Sequence, residues 1–439
     1  MLINNETISH NLLKMILEFT IGNYLSFKGR RTLNLESSSI TEYENNIADF
    51  CEYKILKSAV VYGANSSGKS NLIKAMSTMR RLVTHSSRQS STDKLNIMPF
   101  LLSTETENTP SFFEVLFILE DGRYRYGFEV DNSIIVSEWL FKLIKSKEKS
   151  LFIRDKDKIE VSETFSEAAN LEEKTRENGL FLSVVDQFNG PLSKKIMKWF
   201  HNWVTISGLR HDNYRGITLS MLEKDLSKNQ LKEFYRSLDL GFQELNLIIG
   251  ELTPDRLAIK NIPNERLSKI LSDFKGEKVV TIETIHKKFD EKGKFVDFTK
   301  FDLDQQESAG TNKIVDISGA IFKALSEGSV LVIDELDTKL HPLLTMAIIR
   351  LFNSTDFNKK NAQLIFATHD TNLLSYGCFR RDQIYFTEKD KFEATDLYSL
   401  VEYKEEDGIK VRKDRSFEKD YIAGRYGAIP FIGDFNILF

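Results

Sequence analysis

Residues 58–70 read SAVVYGANSSGKS, and this stretch decides the fold. An apolar run enters a loop rich in glycine and serine, and the loop leads into a segment with apolar residues at helical spacing. The apolar positions of that segment are Leu72, Ile73, Met76, Met79 and Leu82. The pattern predicts a strand, a loop and a helix in that order.

The loop also has the spacing of a phosphate-binding loop, whose backbone N–H groups curl around phosphates at a helix N-terminus. Lys69 is predicted to reach the β- and γ-phosphates, and the Ser70 hydroxyl to complete the shell of a magnesium ion. The predicted ligands are therefore ATP and Mg²⁺. The predicted nucleotide-binding residues are Gly63, Ala64, Asn65, Ser66, Ser67, Gly68, Lys69, Ser70 and Asn71.

A second apolar run, residues 329–333 (SVLVI), ends in Asp334 and Glu335. Without a phosphate-binding loop elsewhere in the chain, such a pair is most simply a solvated strand end. Together with that loop, it predicts that Asp334 holds magnesium through its water shell and that Glu335 is the general base for the attacking water.

Residues 307–311 (ESAGT) open a segment with helical spacing, and their hydroxyl and N–H groups form an N-terminus that attracts anions. We include Ser308, Ala309 and Gly310 among the candidate nucleotide contacts. The alternative is that Ser308 or Thr311 only caps its own helix. Further on, the strand-like LIFA at residues 364–367 leads to His369, although a single histidine at a strand end is usually structural.

The rest of the chain predicts an α/β protein with three segments. Residues 15–160 hold the phosphate-binding loop and antiparallel strands, with a hairpin turn at Asp121-Gly122. Residues 161–275 are predicted to be mainly helical, including LSKKIMKWFHNW and QLKEFYRSLDLGFQEL. Residues 276–439 begin with a hairpin near Lys292-Gly293 and return to alternating helices and strands. The predicted fold combines a mixed or parallel sheet, an antiparallel β meander lobe and a helical insertion.

Bulk composition narrows the function only slightly. The chain has 60 basic and 64 acidic residues, so no global positive field favours nucleic acid. Its two cysteines, Cys51 and Cys378, lack metal-ligand spacing and are predicted to be small buried side chains in a reducing compartment. No apolar run approaches the roughly 20 residues that span a bilayer, and no signal peptide is evident. A cytoplasmic protein without membrane contact is predicted.

The motifs resemble those of the SMC-, RecF- and OLD-like branch of ABC ATPases. The matching stretches are FTIGNYLSFKG, GANSSGKSNL, ESAGTNK, VLVIDELDTKLHP and FATHD, in the family order. More narrowly, ESAGT and the closing GRYGAIPFIGDF are similar to the stand-alone AAA ATPases of bacterial anti-phage and abortive-infection systems, such as the RloA and AbiL types.

This resemblance implies a fold of the ABC-ATPase head type and a homodimer or higher even oligomer. In that architecture the Ser308 turn of one copy contacts the γ-phosphate held by the other, and His369 is the γ-phosphate sensor. A separate effector protein, either a toxin or a nuclease, and DNA or a phage component are the implied partners. The signature of this chain, Ser-Ala-Gly-Thr at residues 308–311, departs from the transporter sequence Ser-Gly-Gly-Gln, and no glutamine is assigned to the Gln-loop.

Three functions remain open from the sequence. The first is a dimeric ATPase switch in phage defence that controls an effector. The alternative is a RecF-like DNA repair or recombination ATPase whose basic face binds DNA phosphates. A scaffold that binds nucleotide without hydrolysis is the third, and Glu335 speaks against it. An intrinsic nuclease is not expected, because no paired-carboxylate site follows His369.

Overall fold

The computed structural model describes residues 13–120, 122–144, 147–208, 214–251, 278–404, 408 and 410–430. Asp121, residues 252–275 of the predicted insertion and the end of the closing motif from residue 431 lie outside the described residues. The chain divides into two compact units. Unit 1 comprises Met1–Leu209, Lys323–Thr338 and Thr345–Phe439, and unit 2 comprises Arg210–Phe322 and Lys339–Leu344.

The helices and strands of the described residues follow in chain order. The strands are β1 (Leu13–Gly22), β2 (Arg31–Asn34), β3 (Ile47–Phe50), β4 (Tyr53–Leu56), β5 (Ser58–Gly63), β6 (Ser111–Glu120), β7 (Gly122–Val130), β8 (Ile135–Ile144), β9 (Lys147–Asp155), β10 (Lys158–Val161), β11 (Val204–Ser207), β12 (Glu244–Glu251), β13 (Lys278–Phe289), β14 (Phe295–Asp302), β15 (Val330–Asp334), β16 (Gln363–Ala367), β17 (Ile384–Lys389) and β18 (Thr395–Ser399). The α-helices are α1 (Lys69–His85), α2 (Phe181–Gln187), α3 (Pro191–Asn202), α4 (Arg215–Leu222), α5 (Asp225–Ser237), α6 (Leu303–Gln306), α7 (Ala309–Glu327), α8 (Pro342–Asn353) and α9 (Phe417–Ile422). Short 3₁₀ helices lie at Glu44–Asn46, Ser86–Arg88, Glu163–Ala168, Glu172–Lys174, Thr371–Leu374 and Arg381–Gln383.

Unit 1 contains the sheet that carries the phosphate-binding loop. Its strand order is β11-β15-β16-β5-β17-β18, and all neighbours are parallel except the edge pair β17-β18. Every residue of β5 is buried, as expected for a parallel strand covered on both faces. The predicted strand, loop and helix are confirmed as β5, the loop and α1, and the mixed sheet is confirmed as well.

The second sheet of unit 1 is the antiparallel meander that the sequence predicts. Seven strands pair in the order β10-β9-β8-β7-β6-β1-β2. Aromatic residues on one face of this sheet pack on α3, where the rings of Phe117 and Trp199 stack with their centroids 4.2 Å apart. Trp199 and Trp203 are almost wholly buried in the same cluster. The meander therefore shares its core with helix α3.

One side-chain amide joins the two sheets of unit 1. At the start of β16, the Gln363 Oε1 atom accepts a hydrogen bond of 2.6 Å from the Ile16 backbone N–H. The Gln363 Nε2 atom donates to the carbonyl oxygens of Ile16 and Leu56, each at 3.0 Å. The register of β1 against β6 shifts between Ile16 and Glu18. Gln363 thus satisfies backbone groups of β1 that lie beside this irregularity.

Unit 2 contains the three-stranded antiparallel sheet β12-β13-β14. The predicted hairpin near Lys292-Gly293 is confirmed as the turn between β13 and β14. The helical prediction for residues 230–245 is wrong beyond residue 237. Helix α5 ends at Ser237, Gly241 has a φ of +87°, and a strand begins at Glu244. A positive φ at Gly241 directs the chain out of the helix and into the sheet.

The two cysteines differ from their predicted environment. The predicted burial of both cysteines is wrong, because Cys51 is exposed and Cys378 is only partly buried. Cys51 lies in the tight turn between β3 and β4, with a φ of +50°, where side chains project into solvent.

The predicted segment boundaries at residues 160 and 275 remain predictions. No helix in the part of the chain that the structure describes combines the length and apolar character needed to cross a membrane.

Candidate nucleotide-binding site

The phosphate-binding loop links the end of β5 to the start of α1. Gly68, the N-cap residue of α1, has a φ of +115°. A Cβ atom at this position would lie 2.3 Å from Oγ1 of Thr395, so that only glycine fits. The loop and two more distant side chains surround a cleft of about 380 Å³. The cleft is lined by Asn65, Ser66, Ser67, Gly68, Lys69, Ser70, Asn71, Glu335 and His369.

Lys69 is folded onto its own loop. Its Nζ atom donates to the carbonyl oxygens of Gly63 and Ala64, at 2.8 and 3.0 Å, and the residue is only 5% exposed. Burial lowers the pKa of Lys69 to about 8, and the charges of Asp334, Glu335 and Asp337 oppose that decrease. The ammonium group therefore has to leave two carbonyls in order to reach a phosphate.

ATP binding is expected to take up a proton at alkaline pH. With a pKa of about 8, Lys69 is largely neutral in the empty site at pH 9, and a bound triphosphate would raise that pKa. At about pH 6, well below that pKa, the group is charged in both states, so uptake by Lys69 should vanish there. Calorimetric titrations at pH 9 in buffers of different ionisation enthalpy measure the uptake. The Lys69→Arg variant, which does not lose its proton, should show none, and equal uptake by that variant would assign the proton to another group.

Ser70, next to the phosphate-binding loop lysine, is in contact with Asp334, the last residue of β15. The Ser70 hydroxyl donates to Asp334 Oδ1 at 3.1 Å. Burial raises the pKa of Asp334, while the hydrogen bond from Ser70 opposes the rise. The Ser70 hydroxyl and the Asp334 carboxylate are two oxygen groups beside the phosphate-binding loop. They fit magnesium, which prefers oxygen ligands and keeps several of its waters. Among the described residues, the buried Oδ1 of nearby Asp337 has no hydrogen-bond partner.

Glu335 follows β15 in an unusual backbone conformation. Its φ is +52°, in the left-handed region that non-glycine residues rarely adopt. Such backbone strain, on the order of 1–3 kcal/mol, clusters at functional sites. The Thr338 hydroxyl donates to Glu335 Oε2 at 3.0 Å, which orients the carboxylate. The arrangement places an oriented carboxylate on the wall of the phosphate cleft.

His369 comes directly after β16 and Thr368, on the same side of the sheet as Glu335. Desolvation lowers the pKa of His369, and the positive charge of Lys69 lowers it further. The imidazole is therefore neutral near pH 7 and has one ring N–H to donate. That ring N–H can donate a hydrogen bond to a phosphate oxygen.

Three residues that the sequence did not single out support the phosphate-binding loop. The Thr395 hydroxyl in β18 contacts the Ser67 carbonyl at 2.9 Å and the Ser26 hydroxyl at 2.7 Å. The Asn71 side chain donates to the same Ser26 hydroxyl at 2.8 Å. The hydroxyl groups of Ser67 and Thr387 are 2.6 Å apart. The loop is thus held from β17, from β18 and from the turn after β1, which are all distant in sequence.

Gly208 is a further residue of the site that its local sequence does not reveal. It follows the short strand β11, which pairs in parallel with β15, and its N–H donates to the Asp334 carbonyl at 2.6 Å. A Cβ atom at Gly208 would lie 2.1 Å from the backbone oxygen of Glu335. The only sequence signal was a run of β-branched residues, VTIS, before a glycine. Gly208 lets the edge strand approach the turn that carries Glu335.

Gly208→Ala is expected to slow ATP turnover with little change in KM. The new methyl group would displace the Glu335 backbone, and small misplacements of a reacting group cost roughly 10- to 100-fold in rate. Steady-state phosphate release against ATP concentration separates kcat from KM. Gly216→Ala, where a Cβ atom would meet no neighbour within 4 Å, is the matched control. Unchanged kcat in Gly208→Ala would show that the turn tolerates the displacement.

The signature residues Ser308, Ala309 and Gly310 are located in unit 2. Ser308 and Gly310 line a second cleft of about 570 Å³, together with Thr311, Lys339 and His341. The predicted helix is confirmed as α7, which begins at Ala309. Ser308 also caps that helix, since its hydroxyl accepts from the Thr311 N–H at 3.1 Å. A capping role and a nucleotide contact are compatible, because the hydroxyl oxygen accepts from the Thr311 N–H while its O–H proton can be donated to a phosphate oxygen.

The fold and the cleft define a P-loop protein of the ATPase class. A parallel sheet presents a glycine-rich loop, a helix N-terminus and an acidic strand end to one cleft, and each of these is a part of that class of nucleotide site. Residues 58–375 match the family model described as "AAA domain, putative AbiEii toxin, Type IV TA system". The chain belongs to that family.

Comparisons with individual proteins are less informative. No curated protein matches the chain. Among solved structures, the SMC head domain from Thermotoga maritima is similar to it, with a TM-score of 0.37 and 12% sequence identity. That similarity covers 88% of this chain and 98% of the other.

Proposed function

We propose that the protein binds ATP with magnesium and hydrolyses it in a head-to-tail dimer that controls a separate effector. The observation that carries the proposal is that Glu335 and His369 line the same cleft as the phosphate-binding loop, whose Ser70 hydroxyl bonds to Asp334. A nucleotide-binding scaffold needs the loop alone. The same cleft also holds an oriented carboxylate, which can accept a proton from water, and an imidazole, which can donate to a phosphate oxygen.

The chemistry follows from the positions of these groups. Lys69 leaves its two loop carbonyls and donates to the β- and γ-phosphates. Glu335 accepts a proton from water as the water oxygen bonds to the γ-phosphorus, and the bond from that phosphorus to the β–γ bridging oxygen breaks. The products are ADP and phosphate, and Glu335 returns its proton to solvent or product. His369 donates its ring N–H to the γ-phosphoryl oxygens.

Magnesium, held by Ser70 and through its water shell by Asp334, would neutralise charge on the β- and γ-phosphates. Burial raises the pKa of Asp334, and a bound cation would favour its charged form. The Thr338 hydroxyl holds the Glu335 carboxylate in one orientation through its hydrogen bond to Oε2.

Dimerisation would supply the remaining contact with the nucleotide. The exposed turn at Ser308 lines a cleft of its own unit, and a γ-phosphate held by a second copy is the anion we assign to that helix N-terminus. ATP then has more contacts in the closed dimer than in the open one, which shifts the equilibrium toward closure. Hydrolysis removes the shared phosphate and reopens the dimer.

Subunit mixing tests this dimer. Lys69→Ala should weaken ATP binding enough to remove turnover at ordinary ATP concentrations, and Ser308→Arg should block the signature turn, so that each variant alone is inactive. A mixed dimer pairs the intact loop of the Ser308→Arg copy with the intact turn of the Lys69→Ala copy. An equal mixture should recover about a quarter of wild-type turnover, because about half of the dimers are mixed and each has one complete site. No recovery above the separate variants would contradict the shared site.

The effector is proposed from the family, whose description includes a putative AbiEii toxin and a type IV toxin–antitoxin system. Expression of the flanking gene should impair growth, and co-expression of this protein should change that outcome only when Lys69 and Glu335 are intact. A flanking product without any effect on growth, combined with salt-sensitive binding of duplex DNA by this protein, would instead favour a DNA repair ATPase.

A further inference from the structure

We propose that Thr284 and His286 are positioning residues for the signature turn, acting through the carboxylate of Glu307. The inference rests on the proposed dimeric ATPase and extends it within unit 2. Glu307 immediately precedes Ser308 and bonds back to strand β13. The sheet β12-β13-β14 would thereby set the position of the residue that completes the partner's site.

The contacts form a small buried cluster. The His286 Nε2 atom is 2.6 Å from Glu307 Oε1, and the Thr284 hydroxyl donates to the same oxygen. The Glu307 side chain is 8% exposed, the His286 side chain is 18% exposed and Thr284 is fully buried. A carboxylate buried to this extent needs hydrogen-bond donors, and these two supply them. Loss of either donor removes one of the two hydrogen bonds that hold this carboxylate in place.

The chain around Glu307 leaves little freedom. Strand β14 ends at Asp302, whose carboxylate accepts from the N–H groups of Asp304 and Gln305. The Gln306 side chain accepts from the Asp302 N–H at 2.7 Å, which closes the single helical turn α6 at both ends. Glu307 then has an extended backbone and leads directly into the helix-capping residue Ser308. A displacement of Glu307 would therefore be passed to Ser308.

Ring contacts fix the imidazole of His286. The Phe301 ring lies 4.5 Å from it between centroids, and Phe242 meets it edge-on at 6.4 Å. Thr284 and His286 are two residues apart on one strand, so both side chains project from the same face of the sheet. His286 therefore has two candidate roles, packing alone or donation to Glu307. The two roles predict different effects of substitution on turnover.

The variants His286→Gln and His286→Phe separate these roles. Glutamine keeps a donor but loses the ring, whereas phenylalanine keeps the ring but loses the donor. If His286 positions Glu307, His286→Phe should lower turnover by roughly 10- to 100-fold and His286→Gln should retain most of it. Thr284→Val should reduce turnover and Thr284→Ser should not. ATP binding by the phosphate-binding loop should stay unchanged in all four variants. The reverse order within the His286 pair would overturn the inference in favour of packing.

Subunit mixing then locates the defect. An equal mixture of His286→Phe with Lys69→Ala should regain activity, because the mixed dimer combines a sound loop from the first copy with a sound signature turn from the second. A mixture of His286→Phe with the double variant Lys69→Ala, His286→Phe should not recover. If Ser308→Arg is rescued by Lys69→Ala while His286→Phe is not, the positioning role is wrong and the dimer stands. If neither is rescued, the proposed dimer fails and the inference with it.

Discussion

Glu335→Gln should reduce ATP turnover by about 10²- to 10⁴-fold while leaving ATP binding intact, which is the range expected for removal of a general base. The amide is nearly isosteric with the carboxylate and can keep the contact with Thr338, but it cannot accept a proton from water. Because ATP then persists in the site, the variant should accumulate as the closed dimer. Phosphate release and light scattering with ATP and magnesium measure the two effects.

Glu327→Gln is the matched control, since Glu327 is an exposed residue at the end of α7. It should hydrolyse ATP at the wild-type rate and show no ATP-dependent accumulation of dimer. Turnover by Glu335→Gln at the control rate would remove Glu335 from the role of base, although the phosphate cradle would still stand.

Lys69→Ala should weaken ATP binding by about 10²-fold, and turnover at ordinary ATP concentrations should be lost with it. Hydrogen bonds to charged groups reach about 3 kcal/mol, which corresponds to about two orders of magnitude in Kd. Displacement of a fluorescent ATP analogue measures the affinity. Lys54→Ala is the control, because Lys54 is an exposed lysine on β4. Equal ATP affinities for the two variants would show that Lys69 does not contact the phosphates.

The parts of the site that could be predicted from the sequence are those whose chemistry is local. The order of strand, loop and helix around Lys69 is set by neighbouring residues, and an acidic pair directly after an apolar strand is equally visible. The parallel sheet brings both strand ends to the same edge, so their proximity also follows from the pattern.

The parts that could not be predicted depend on contacts between distant segments. Strand β11 is four residues long and lies within a stretch with a helical pattern, so its pairing with β15 gave no periodic signal. Gly208 takes its importance only from that pairing. Thr395 and Ser26 are likewise ordinary loop and strand residues in the sequence, and they support the phosphate-binding loop only because β18 and the turn after β1 fold against it.

The helix signal in residues 230–245 failed for a different reason. Apolar spacing of the helical kind continues past Ser237, but the glycine at position 241 permits a reversal that the periodicity does not register. Residues Glu244–Glu251 instead form strand β12, which pairs with β13. Context in the sheet overrode the local preference of the segment.

The amide of Gln363 offers a way to observe whether the two sheets of unit 1 separate during turnover. The backbone N–H of Ile16 is bonded to that side chain, so its protection from solvent deuterium depends on one glutamine. If the nucleotide cycle loosened the junction, the Ile16 peptide would incorporate deuterium faster while the strands on either side kept their protection. A labelling time course on protein held with ATP, with ADP or without nucleotide would then resolve the motion of the meander from the opening of the dimer.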